Sequence, residues 1–93
     1  MIIEIETKIL TMIDDMVEDA TDDQLFAGGY IRGHLTQSVA ELELQGKTSA
    51  AALKQQVEES LQQAIRQQEL SPPDQVLVLD LWQELYLKAS SAA

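Results

Sequence analysis

His34 is the only histidine in the chain and cysteine is absent, so imidazole chemistry has one address and thiolate chemistry none. Tyr30, His34, Gln37 and Glu41 follow one another at three- and four-residue steps, which places them on one stripe of a helix. Such a stripe offers a Tyr-His-Glu hydrogen-bond ladder with His34 as a general base. No serine or other nucleophile is tied to it by spacing. The stripe therefore predicts a partly buried histidine, hydrogen-bonded beside the core, with a small enzyme using Tyr30, His34 and Glu41 as the alternative. A lone histidine excludes two-histidine metal sites. The Glu-x-x-His pairs of di-iron bundles are also missing, because Ile31 stands three residues before His34.

Two other stretches imitate binding motifs. Gly46-Lys47-Thr48 resembles the end of a phosphate-binding loop, but that loop needs a glycine five residues earlier and a strand leading in. Glu41 occupies the glycine position, and the preceding segment has helical periodicity. A turn is the expectation. The run from Asp14 to Asp23 is rich in carboxylates, yet read as a calcium loop from Asp14 it has Asp19 where the central glycine belongs and Leu25 where the closing glutamate belongs. It predicts a solvated acidic corner made by Asp14, Asp15, Glu18, Asp19, Asp22 and Asp23, and no cofactor or metal is expected.

The charge distribution sharpens that expectation. The net charge is −10, and of this −7 falls before residue 24, where eight acids face one lysine. Nucleic-acid backbones and anionic lipid, which bind through Lys and Arg, are disfavoured partners. Glu18 and Asp19 read as lying at a helix C-terminus, where negative charge is unfavourable by ~0.3–1 kcal/mol each. Such placement favours a basic protein partner.

The elements that must position these residues are helices. Ile5, Ile9, Met12, Ile13, Met16 and Val17 recur at helical steps and predict a first amphipathic helix over 2–19. Thr21-Asp22-Asp23-Gln24 matches a capping box that opens the second after almost no loop. Gly28-Gly29 lowers helix propensity there, predicting a kink or break near Ala27 and a main segment from Tyr30 to Leu44. Gly46 closes that segment, and Thr48 or Ser49 opens a third helix over 50–69 whose single narrow stripe, Leu53, Val57, Leu61, Ala64 and Ile65, suits the outside of a bundle. Ser71-Pro72-Pro73-Asp74 starts a fourth, running to about Ala89. Its apolar residues cover more than half of its circumference, which predicts the central, most buried helix. The expectation is an all-α, compact, bundle-like domain over 1–93, with four helices, or five if the second is broken, and frayed residues 90–93.

The second helix carries a bulky face (Ile31, Leu35, Val39, Leu42) and a separate small-residue face (Gly29, Gly33, Thr36, Ala40). Two faces predict two neighbours. The small face is expected to pack closely on the first or fourth helix through Gly29, Gly33 and Ala40, with a homodimer contact as the alternative.

Asp22-Asp23-Gln24-Leu25-Phe26-Ala27-Gly28-Gly29-Tyr30-Ile31-Arg32-Gly33-His34-Leu35, Glu69-Leu70-Ser71-Pro72-Pro73-Asp74-Gln75 and Leu81-Trp82 together resemble the YfcL family of small gammaproteobacterial proteins, with similarity through almost the whole chain. Where this chain has Gly28 the family commonly has serine, a departure that loosens the expected bend. The resemblance implies no activity or cofactor and carries over no catalytic residue.

With no apolar run near the ~18 residues of a membrane span and no basic leader, a cytoplasmic protein is expected. The leading functional expectation is a non-catalytic protein-binding or regulatory module, monomeric or homodimeric. It would use either the acidic corner or apolar surface left by the fourth helix. The alternatives are the small enzyme above and an acidic mimic of nucleic acid.

Overall fold

The computed structural model describes residues 2–91. Four helices follow one another, α1 Ile2–Met16, α2 Asp22–Gln45, α3 Ala50–Arg66 and α4 Pro72–Ser91, with no strand among the described residues. The all-α, four-helix expectation holds. The starts of α2, α3 and α4 have side-chain caps encoded in the sequence. The Thr21 hydroxyl accepts from the Gln24 amide at 3.2 Å, while the Gln24 side chain accepts from the Thr21 amide at 2.9 Å. Ser49, rather than Thr48, caps α3 by accepting from the Ala52 amide.

Several boundaries differ from the sequence reading. α1 ends at Met16, and the three residues to Asp19 form a turn through Val17 N–H to Asp14 C=O and Asp19 N–H to Met16 C=O. Glu18 and Asp19 thus lie just beyond the helix end. α2 is unbroken, because Gly28 and Gly29 keep helical backbone and only Gly46 among the glycines has a positive φ, at 72°. Gly28 is used for close approach instead of bending: a Cβ there would lie 3.2 Å from Ile13 Cγ2, so the glycine lets α1 pack onto α2. α3 stops at Arg66, short of Glu69, where Gln68 takes the left-handed conformation (φ 61°). That turn delivers Leu70 into the core. Ser90 and Ser91 belong to α4, with the Ser90 hydroxyl donating to the Tyr86 carbonyl at 2.7 Å; the rest of the tail expected to fray lies outside the described residues.

The core is continuous, built from Ile2, Ile5, Ile9 and Ile13 of α1, Ile31, Leu35, Val39 and Leu42 of α2, Leu53, Val57 and Leu61 of α3, and Val78, Trp82 and Leu85 of α4. Contrary to expectation, α2 and not α4 is central, packing extensively on all three other helices. The wide apolar surface of α4 is only partly used, since Val76 and Leu87 remain exposed. The small-residue face is corrected more sharply. Gly29, Gly33 and Ala40 are exposed, and nothing lies within 4 Å of a Cβ built at Gly29 or Gly33, so this face packs on neither α1 nor α4.

Candidate functional site

Three surface regions hold the chemically capable residues. The first is a polar seam where α2 meets α3. The stripe of Tyr30, His34, Gln37 and Glu41 does not close into a ladder along its own helix. Instead its members reach outward: the Tyr30 hydroxyl donates to Glu69 Oε1 at 3.0 Å, and Gln56 Nε2 donates to Glu41 Oε2 at 2.7 Å. His34 Nδ1 lies 2.6 Å from Ser60 Oγ, while Gln37 is exposed. The Tyr30 and His34 rings are stacked at a tilt, with centroids 4.7 Å apart.

Physical chemistry sets the protonation states of this seam. Partial burial pushes the Tyr30 phenol up to about 12, helped by its bond to the Glu69 carboxylate and by that negative charge. Burial lowers the His34 pKa from its usual value, and the Glu69 charge opposes part of the shift. A neutral His34 can accept from the Ser60 hydroxyl or donate to it, according to tautomer. Ser60 and Glu69 escaped the sequence reading. The signal available for Ser60 was its position four residues after Gln56, at the edge of the Val57–Leu61 stripe, where short polar side chains border a helix contact. Glu69 had no signal, because its position depends on the turn at Gln68.

The second region is the α1–α2 corner. Asp14, Asp15, Glu18, Asp19, Asp22 and Asp23 are all exposed. Asp14 forms an ion pair with Arg32 of α2, the one cation brought to a groove of about 140 Å³ lined by Ile13, Met16, Val17, Leu25, Gly28 and Gly29. Within this apolar groove Val17 and Leu25 are 50% and 41% exposed. On the other side of Met16 and Gln24 a second groove, about 370 Å³, runs between α1 and α4 beside Asp15, Leu81 and Glu84, with Lys88 bonded to Glu84. Among the described residues no group of three carboxylates or imidazoles is placed to hold a metal ion.

The third region is a shallow groove of about 400 Å³ between α3 and α4, where Trp82 Nε1–H donates to Glu58 Oε2 at 3.1 Å and Glu59, Gln62 and Arg66 line the rim. The bond satisfies an indole that is otherwise in the core, and Lys54 neutralises the same carboxylate at 3.1 Å. It explains why Trp82 can be buried. None of the five described grooves is lined by Tyr30, His34 or Ser60.

Comparison with known proteins follows the same residues. A family profile described as YfcL protein matches residues 3–87, a span that runs from α1 to near the end of α4 and takes in both the seam and the corner. The chain belongs to the YfcL family. Within that family it is 53% identical over 90 residues to Uncharacterized protein YfcL of Escherichia coli (strain K12), an alignment covering 97% of this chain and 98% of the relative. No solved structure matches. The YfcL resemblance read from the glycine-rich stretch and the Ser-Pro-Pro-Asp helix start is thereby established. No helix of the described residues is long and apolar enough to cross a membrane.

Proposed function

We propose that this YfcL-family protein is a non-catalytic protein-binding module whose contact surface is the α1–α2 corner, and that it engages a basic segment carrying an apolar side chain. The observation that carries this reading is the apolar groove of Met16, Val17 and Leu25, formed by a stretch of chain whose neighbouring carboxylates, Asp14, Asp15, Glu18, Asp19, Asp22 and Asp23, are all exposed. The groove supplies burial for one side chain, worth ~1.5–3 kcal/mol when complete. These carboxylates select the sign of the partner and speed its approach. Gathering of these acids at one corner also favours this reading over mimicry of nucleic acid, which calls for charges arrayed along a phosphate-like path.

The test is affinity capture from the native cell at low and high salt, read by mass spectrometry. Three baits are compared: the wild-type chain, an Asp19→Lys/Asp23→Lys variant and a Leu25→Glu variant. A basic protein retained at low salt by the wild type alone is the expected result. Identical retention by all three baits overturns the corner as the contact surface.

A second reading has one observation in its favour, the 2.6 Å contact of His34 Nδ1 with Ser60 Oγ. A histidine bonded to a serine hydroxyl is the arrangement that activates a nucleophile in acyl transfer. Labelling of Ser60 by a fluorophosphonate that is lost in His34→Ala would establish it. The stacked Tyr30 ring and the absence of this pair from the described grooves favour the structural role.

A further inference from the structure

We propose that the groove running along α4 receives a basic amphipathic helix of another protein, and that this helix belongs to the partner segment whose apolar side chain enters the α1–α2 corner. The inference rests on the corner reading and extends its contact from one side chain to about three turns of helix. Two grooves, of about 200 and 370 Å³, follow each other along α4 and share Gln24, Leu81 and Glu84. Their α4 side is built from two rows at four-residue steps, Leu77, Leu81 and Leu85 in one and Val76, Asp80, Glu84 and Lys88 in the other. The facing side is Gln24 and Ala27 of α2, followed by Met12, Asp15 and Met16 of α1. Met16 and Gln24 also line the corner groove, so the two surfaces are continuous.

Shape selects a helix as the occupant. At 1.5 Å per residue Val76 to Lys88 spans ~18 Å, and rows of side chains four residues apart form the ridges and grooves into which another helix packs. An extended segment would find no backbone partner here, because the walls are helices and no sheet edge is present among the described residues. Met12 and Met16 supply flexible thioethers that adapt to the side chains laid on them. Charge selects the sign. Asp15, Asp80 and Glu84 line the groove against one cation, Lys88, which is bonded to Glu84 at 2.8 Å. Asp15 and Asp80 stand exposed, one on α1 and the other on α4, placed to meet Lys or Arg on either flank of an apolar stripe. A second copy of this chain does not supply such a helix: its net charge is −10, and no two of its six Lys and Arg residues lie within six positions of each other.

The same occupant accounts for the composition of α4. Its apolar arc is wider than the bundle covers: Val78, Trp82 and Leu85 are buried, Leu77 and Leu81 are partly buried, and Val76 is 60% exposed. The part of the arc that the core leaves over is the part that lines the groove, where a second helix stripe removes it from water.

The test is fluorescence anisotropy of the full chain with a labelled synthetic peptide of about 14 residues, made of Leu and Lys alone, with Leu at three- and four-residue steps. Two control peptides carry the same charge. One is an isomer of the same composition in which no apolar stripe forms, and the other has a central Leu replaced by proline, which breaks the helix. The wild type should bind the stripe peptide about tenfold or more tightly than either control. Val76→Lys/Asp80→Lys, at two exposed positions, should weaken that binding by about tenfold relative to Gln55→Lys/Glu59→Lys, which adds the same charge at exposed positions of α3. Circular dichroism should be unchanged in both. Equal binding of the three peptides, no binding of any, or equal effects of the two double variants overturns the inference. Leu25→Glu separates it from the corner reading, because an added acid does not weaken a basic peptide through charge. Loss of affinity both in Leu25→Glu and in Val76→Lys/Asp80→Lys is the expected result. Loss confined to Leu25→Glu keeps the corner and overturns the groove, whereas loss confined to Val76→Lys/Asp80→Lys upholds the groove and overturns the corner.

Discussion

Gly28 and Gly33 lie on the same helix, less than two turns apart, and do opposite things. Gly28 is buried against Ile13, where a Cβ would lie 3.2 Å from Cγ2, and its missing side chain sets how closely α1 sits on α2. Gly33 has nothing within 4 Å of where its Cβ would be. The inner face of α2, with Ile31, Leu35, Ser38, Val39 and Leu42 buried, is fixed by three neighbouring helices, and the outer face is fixed by none within the chain. The contrast shows that a glycine's intrinsic effect on helix stability, about 1 kcal/mol unfavourable relative to alanine, says nothing about which way it faces. Direction comes from the residues around it in space.

Substitutions on the two faces should separate in size and then in sign. The largest effect belongs to the inner face: Leu35→Ala empties a fully buried position and should lower stability by ~2–5 kcal/mol in urea melts. A loss under about 1 kcal/mol would mean that the centre of the bundle is loosely packed. Gly28→Leu should destabilise by ~1–3 kcal/mol, because the added side chain must displace Ile13. Gly33→Leu should instead stabilise the fold and raise the midpoint, through ~0.8 kcal/mol of helix propensity. Were both to move the midpoint the same way, the contrast between the faces would be lost.

The smallest effect sits at the edge between the faces, at His34. Its pKa is lowered in the folded protein, mainly by burial, so below the ordinary value near 6.5 the unfolded chain binds the proton more readily than the folded one. The stability that His34 contributes as a neutral side chain is complete above that value and is lost as pH falls through its folded pKa. Urea midpoints from pH 7.5 to 5 should therefore fall more steeply for the wild type than for His34→Asn, which does not titrate in that range. Glu6 carries the opposite slope, because burial, aided by the Glu43 charge, raises its pKa and the folded state takes up its proton first. Parallel profiles for wild type and His34→Asn would show that His34 is solvated equally in both states.

Local signals account for what was legible. The capping box at Thr21, the left-handed Gly46, the Ser49 cap and the start of α4 at Pro72 all depend on residues within four positions of one another. The buried positions of α1 and α3 follow from periodicity, since each of these helices has one narrow apolar stripe. For α2 and α4 periodicity was ambiguous. Both present apolar or small residues over a wide arc, and which part of the arc is covered depends on where the other helices cross. The central position went to α2, not α4, for that reason, and the expected break at Gly28-Gly29 did not occur: the helix runs straight through, with Ile13 packed against Gly28. The candidate site divides along the same line. The acidic corner is contiguous in sequence and was legible, whereas the partners of Tyr30, His34 and Glu41 come from positions far away in the chain.

The sequence by itself determined the helical segments, most of their caps, the apolar stripes of α1 and α3, the acidic corner and the YfcL kinship. Each of these is a property of neighbouring residues or of a pattern carried along one segment. Only the tertiary structure decided that His34 meets Ser60, that Trp82 is buried with Glu58 as its acceptor, that Gly28 and not Gly33 is the close contact, and that Leu44 stays in solvent. These facts turn on how helices are rotated about their axes and where they cross. Such rotations are set by the summed packing of all four helices, in which no single local pattern is decisive.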